Sequence, residues 1–366
     1  MSSVYFLNDS TGYAVGLEGG IFKTTNEGEV WSSLISPTDF GYTSVFFPTN
    51  SIGYIVGEAG IILKTTDEGN NWLVLDTADT DVLFSVYFLN ADTGFAVGSE
   101  TILKTIDGGN TWLNNTITGS ELRSVHFTDN TTGFIAGDNC TILKTINCGL
   151  TWNTINIGCA NQLNSLFFIN NTSGFAVGGN GIILKTIDGG INWDTEIYDV
   201  NFSLNSIYFP SIDSGYLVGF YDNFPGGYVI LNTINSGLSW TTQATKDSIS
   251  LYSIYFLDNN IGFAVGEEII LKTTNAGGVG IKEHVENGKI TIYPNPFHEK
   301  TTISFDFLIS SAEFKIHNTL GKEVKDILVN NSKEIIINRG SLTSGIYFYQ
   351  LINEEELLYT GKLIIE

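Results

Sequence analysis

The sequence predicts an all-β protein: a seven-bladed β-propeller followed by a small antiparallel β-sandwich of immunoglobulin-like type. Three observations predict it. A G-[YF]-x-[VA]-G phrase returns at residues 12–16, 53–57, 94–98, 133–137, 174–178, 215–219 and 262–266, the first five steps being 39 to 41 residues and the last 47. Periods near 40 residues, with short strands and regular turn signals, are the mark of propeller blades. Apolar residues come in runs of four or five bounded by Gly, Asn, Asp and Thr, never at helical spacing. From about Ile281 the repeat stops, charge rises, and shorter alternating segments follow.

Within each unit four strands are expected: "SVYFLN", "GYAVG", "GIFKTT" and a segment opening at Trp31. We call them a to d, from the axis outward. Between c and d lies T-x-[ND]-x-G-x-x-W, with Asn26 and Trp31, Asp67 and Trp72, Asp107 and Trp112, Asn147 and Trp152, Asp188 and Trp193, and Asn235 and Trp240. The carboxylate or amide accepts backbone N–H groups, the glycine tolerates positive φ, and the indole covers the blade. The seventh unit has Asn275 but ends "TTNAGGVG" without a tryptophan, so its outer strand is expected to be missing. A segment upstream of the recorded start is expected to supply it. That start, "MSSVYFLNDS", has no basic region followed by an apolar one, and Met1 leads directly into a strand, which suggests an opening internal to a longer reading frame.

The box resembles the Asp-box, or BNR, repeat of sialidases, xyloglucanase-type glycoside hydrolases and the sortilin ectodomain. The whole repeat is still more similar to the photosystem II stability and assembly factor family, over roughly residues 1–280. What the resemblance implies is architecture: in those families the box is a turn motif away from the ligand, so Asp67, Asp107 and Asp188 are structural. The assembly factors dock partners through basic surface, which this acidic chain lacks.

Residues 281–291, "IKEHVENGKIT", read as a linker, and 292–366 as the second domain. Y-P-N-P-F (Tyr293, Pro294, Asn295, Pro296, Phe297), L-G-K-E-V with Gly321, S-G-I-Y-F with Gly345, and the ending G-K-L-I-I with Gly361 and Lys362 resemble the type A C-terminal sorting domain of the type IX secretion system of the Bacteroidetes phylum. The resemblance implies export across both membranes, with the secretion machinery and its sortase as partners, and surface attachment or release once the tail is removed.

A formal charge of −22 makes nucleic acid a poor partner, and no apolar run reaches the roughly 18 residues needed to span a bilayer. In a propeller the d–a and b–c loops share one rim, opposite the boxes. Glu18, Glu58, Glu100, Asp138, Asp222 and Glu267 follow strand b in six of the seven units. Such a ring either holds a cationic ligand or is a solvated acidic face. The sixth unit carries an insertion, "GFYDNFPGGYVILNT", and has lost the strand-c lysine. Its Tyr221, Phe224 and Tyr228, beside Asp222, either stack on a sugar or peptide or pack over their own blade.

Catalytic material is sparse. Within residues 1–280 Arg123 is the one arginine, so a sialidase-type arginine cluster is excluded, and His126 is the one histidine, so neither a histidine triad nor a multi-histidine metal site is expected. No metal, cofactor or catalytic residue is assigned. The expected protein is a monomeric, non-catalytic module for a glycan or protein ligand, or a scaffold. The alternative is a glycoside hydrolase working through two rim carboxylates. Cys140 begins strand c of the fourth unit and Cys159 follows strand d, so the two meet at one rim and form a disulfide. Cys148, at the far end of the strand, stays a thiol.

Overall fold

A computed structural model describes residues 1–75, 81–221, 227–247, 249–267, 269–275, 282–285, 290–318, 322–353 and 356–365. They form two compact units, Met1–Val285 and Glu286–Glu366. The first is the seven-bladed propeller. Blade one runs Ser3–Phe6, Gly12–Val15, Ile21–Thr24 and Ser32–Ser33, each strand antiparallel to the next. Blades two, five, six and seven repeat this order as separate four-stranded sheets. Blades three and four are continuous, because Leu113–Phe127 is the outer strand of one and the inner strand of the other.

Burial explains the repeat. In strand a every second side chain is buried, as Val4 and Phe6 are, whereas strand b is buried throughout because a blade covers each of its faces. The aromatic of each strand b stacks on the last Phe of strand a in the following blade: Tyr13 on Phe47, Tyr54 on Phe88, Phe95 on Phe127, Phe134 on Phe168, Phe175 on Phe209, Tyr216 on Phe256, and Phe263 on Phe6, at 3.8–4.8 Å between centroids. The last of these joins blade seven to blade one. A box tryptophan stands edge-on to six of the seven stacks, at 77–90°. The opening glycine of the repeated phrase is explained by the same packing: a Cβ on Gly53 would lie 2.3 Å from Phe47.

Two further rings circle the axis. In strand a the hydroxyls of Ser3, Ser44, Ser85, Ser124, Ser165, Ser206 and Ser253 each accept the backbone N–H of the next blade's inner strand, and Ser253 returns to Val4. Two residues further along, Tyr5, Phe46, Tyr87, His126, Phe167, Tyr208 and Tyr255 form a closed collar with centroids 5.0–5.5 Å apart. His126 is therefore a collar residue, and burial pushes its pKa down to about 4.

The seventh blade corrects an expectation. Its outer strand is present: Lys282–Val285, inside the stretch read as linker, pairs with Ile269–Lys272. Every blade is thus built from contiguous sequence, and the ring closes by side-chain contacts instead of by an exchanged strand. Among them are the Lys272–Glu29 ion pair at 2.5 Å and the Tyr255 hydroxyl donating to the Phe6 carbonyl.

The second unit pairs Ile290–Tyr293, Lys300–Asn318, Gly345–Asn353 and Glu356–Ile365 in that order, with Glu323–Asn338 also on Lys300–Asn318. Phe297, Phe314 and Leu351 lie in its core. The first and last motifs of the tail meet there: Phe297 N–H donates to the Ile364 carbonyl, and the Asn295 side chain accepts the Ile364 N–H. Tyr293 is exposed and Gly345 has positive φ. Pro294 and Pro296 both follow cis peptide bonds. Gly321 and the side chain of Lys362 lie outside the described residues, and Gly361 pairs with Tyr349.

Candidate binding surface

The box rim is structural in every described detail. In all seven blades the box threonine hydroxyl donates to the Asn or Asp Oδ1, at Asn26, Asp67, Asp107, Asn147, Asp188, Asn235 and Asn275. In the first six it also accepts the box glycine N–H, while Oδ1 caps the N–H two residues beyond that glycine. Hydrogen bonds from the Asn71 side chain and main chain, then from Thr65, hold the Asp67 carboxyl down to about 2. Asn192, through its main chain and then its side chain, does the same for Asp188. These carboxylates are acceptors for donors of their own box turns.

The strand-c lysine, whose role the sequence left open, belongs to the same frame. Lys23, Lys64, Lys104, Lys144 and Lys185 donate to the carbonyl of the left-handed residue in the next blade's box turn, at Glu68, Gly108, Cys148, Gly189 and Ser236, over 2.5–2.8 Å. Each ammonium also lies 5.3–5.7 Å from the centre of its own strand-b ring. Blade six carries Asn232 at that place, opposite Tyr216.

The opposite rim varies from blade to blade. Glu58 caps the Gly41 N–H, Glu100 accepts from Gly119 N–H, and Glu267 accepts from the Tyr252 hydroxyl. Asp138 accepts from Arg123 at 2.8 Å, and the same guanidinium binds Glu121 and stacks 5.0 Å over Phe84. Glu18 is exposed with φ of 54°. Asp222 and Phe224 lie outside the described residues. The carboxylates are therefore mostly spent on ordering their own loops, and they do not act as a ring of equivalent ligands. Among the described residues no group of His, Cys, Asp and Glu side chains is arranged to hold a metal.

In the sixth blade Tyr228 is buried within the cluster that includes Tyr216, Ile230 and Leu251, and Tyr221 packs on Phe202 at 4.2 Å between centroids. Of the two alternatives for these residues, packing over their own blade is the one these contacts fit. The extended strand c, Gly227–Thr233, turns Tyr228 into the blade interior. A disulfide joins Cys140 to Cys159, 5.6 Å between Cα atoms, tying the b–c loop of blade four to the segment leading into blade five. Cys148 is a free, half-buried thiol in the box turn.

What the sequence reading missed is the mouth of the axis. The residue before each ring serine, Ser2, Thr43, Phe84, Arg123, Asn164, Asn205 or Tyr252, lies at the rim end of strand a. The Asn164 amide donates to the Leu204 carbonyl and the Asn205 amide to the Leu251 carbonyl, bridging blades five, six and seven. Beside Arg123 a recess of about 460 Å³ opens between blades three and four, lined by Asp81, Glu100, Glu121 and Asp138 with Ser120 and Asn139.

The family described as "Photosynthesis system II assembly factor YCF48" matches residues 1–80, 72–163, 117–194 and 150–242. The chain belongs to the YCF48 family. It adds a tail that matches the family described as "Secretion system C-terminal sorting domain" over residues 291–366, which implies export by type IX secretion to the cell surface or beyond. Two YCF48 structures share its fold. One, described as YCF48 bound to D1 peptide, is 21% identical, with TM-score 0.62, and the match covers 74% of this chain and 90% of that one. The other, from Cyanidioschyzon merolae, is 18% identical, with TM-score 0.61 and coverage of 74% and 94%. An ancestral GH74 enzyme shares the propeller at 12% identity and TM-score 0.53, over 79% of this chain and 38% of that one. No curated protein matches the chain. No helix among the described residues is long and apolar enough to cross a membrane.

Proposed function

We propose that this YCF48-family propeller is an exported, non-catalytic binding module that takes a cationic peptide segment at the rim recess between blades three and four. One observation carries the reading: four carboxylates, Asp81, Glu100, Glu121 and Asp138, converge on one concavity against a single guanidinium. A lysine- or arginine-bearing segment balances that excess. The relative described as bound to a D1 peptide supports a peptide as occupant of this fold. Glu58, Glu100, Asp138 and Glu267 each order a local donor of their own rim loops, which supports a binding rim over a hydrolytic one. In this reading the sorting tail is cleaved after export, and the propeller works at the surface or in the medium.

The test is calorimetric titration of the full chain with a lysine-rich decapeptide at low and high salt, beside neutral oligosaccharides followed by a reducing-end assay. Exposed ion pairs contribute about 0.2–1 kcal/mol each, so replacing both Asp81 and Glu100 by their amides is expected to weaken the peptide roughly two- to thirtyfold. Reducing ends released from a bound glycan would sink the proposal in favour of the hydrolase. Silence toward every ligand would leave a scaffold.

A further inference from the structure

We propose that the aromatic collar around the propeller axis is a binding site for a quaternary ammonium group, held by the faces of its seven rings. Their orientation decides what they offer. Sevenfold rotation turns each ring by about 51° from its neighbour when the ring normals lie across the axis, and leaves neighbours nearly parallel when the normals lie along it. The observed angles are 36–54°, so the normals lie across it. At six of the seven seams the collar ring lies at 22–26° to the last strand-a Phe of the next blade, 5.8–6.2 Å away, as Tyr5 does to Phe47. That Phe stacks in turn on strand b. Each collar ring is thus the innermost plate of a stack running outward through the seam, and its free face is turned to the axis. The Tyr5, Tyr87 and Tyr255 hydroxyls reach sideways, donating to the carbonyls of Phe47, Phe127 and Phe6. All seven collar rings are half-buried, whereas the plates outside them are buried.

Size and charge select the ligand. A heptagon with sides of 5.0–5.5 Å places the ring centroids about 6 Å from the axis. Subtracting half a carbon–carbon contact, about 1.8 Å, leaves a free radius of about 4 Å. A cation in that space lies within the roughly 6 Å at which ring faces attract positive charge. A metal ion or a lysine ammonium would have to leave water for carbon faces with its ligand or N–H bonds unmade, whereas a quaternary ammonium has no N–H to satisfy. The surrounding field favours a cation: the formal charge is −22, and Arg123, at the mouth end of its strand a, is paired with both Glu121 and Asp138. His126, with its pKa down at about 4, adds no opposing charge near neutrality.

The probe is tetraethylammonium, an ion of roughly 4 Å radius. It is titrated into the full chain by calorimetry in about 0.15 M sodium chloride, where exposed rim carboxylates are screened. Saturable binding of one equivalent, with Kd in the range of about 0.1–1 mM, is expected. Phe46→Leu and Phe167→Leu each remove a ring face while keeping apolar bulk, and neither deletes a polar atom. Each is expected to weaken the ion about two- to fivefold, and the pair roughly five- to thirtyfold. Should the leucine variants lose cooperative unfolding, His126→Phe decides, since exchanging imidazole for a phenyl face should tighten binding about two- to threefold. Wild-type protein without saturable binding up to about 10 mM, or binding left unchanged by the folded leucine variants or, failing those, by His126→Phe, would place any bound ion elsewhere and overturn the site.

Discussion

On the box rim the threonine hydroxyl makes the same contact in all seven blades and the rest of the turn recurs in six, whereas on the opposite rim the side chains change from most blades to the next. The box rim joins neighbours: its tryptophans, glycines and left-handed carbonyls meet the preceding blade's ring and lysine. The mouth rim spends its side chains within one or two blades and leaves a recess where carboxylates outnumber bases. The difference teaches that repetition here measures structural demand, because every seam must solve the same packing problem, and variation marks the surface free to meet a ligand.

The largest break in that comparison is expected at the seams. Trp72→Ala removes an indole from a filled cluster and should cost about 3–5 kcal/mol, read by chemical denaturation. A loss below 1 kcal/mol would mean that the seams are not the main support. Next comes the collar. His126 has a folded pKa of about 4, below the roughly 6.5 of an unfolded histidine, so its neutral form is the one that folding favours. Stability is fully present above the unfolded pKa and is lost as pH falls through the folded one, by at most about 3 kcal/mol. His126→Phe should flatten the stability profile between pH 6.5 and pH 4, and an unchanged slope would place the acid sensitivity elsewhere. The smallest effect belongs to the mouth rim: Glu18→Gln, at an exposed loop, is expected to stay within about 0.5 kcal/mol of wild type.

Much of the frame was legible in the sequence because propeller blades are copies, and copying averages out noise. Blade count and strand order follow from spacing, while the Asp-box turn and the tail motifs are read through their resemblance to known families. The outer strand of blade seven was hidden because its announcing tryptophan is absent, yet "KEHV" still pairs through main-chain groups that need no particular side chain. Tyr228 stayed undecided between stacking on a ligand and packing because an inserted loop lengthens strands b and c and moves the boundary between loop and blade. The mouth residues Phe84, Arg123, Asn164 and Tyr252 escaped for the opposite reason, since differing from blade to blade they look like background. The ring serine that follows each of them was the available marker. The strand-c lysine was visible six times over, but its acceptor lies in another blade, about 44 to 51 residues away, at a distance that pattern reading does not connect.

The aromatic collar has a consequence for how the axis responds to its surroundings. Burial pushes the Tyr5 phenol up to about 12, raises Tyr87, Tyr208 and Tyr255, and takes His126 down to about 4. Between those limits no ring in it gains or loses a proton. A molecule with a formal charge of −22 thus carries, around its axis, a ring of side chains whose charge state stays fixed over that range.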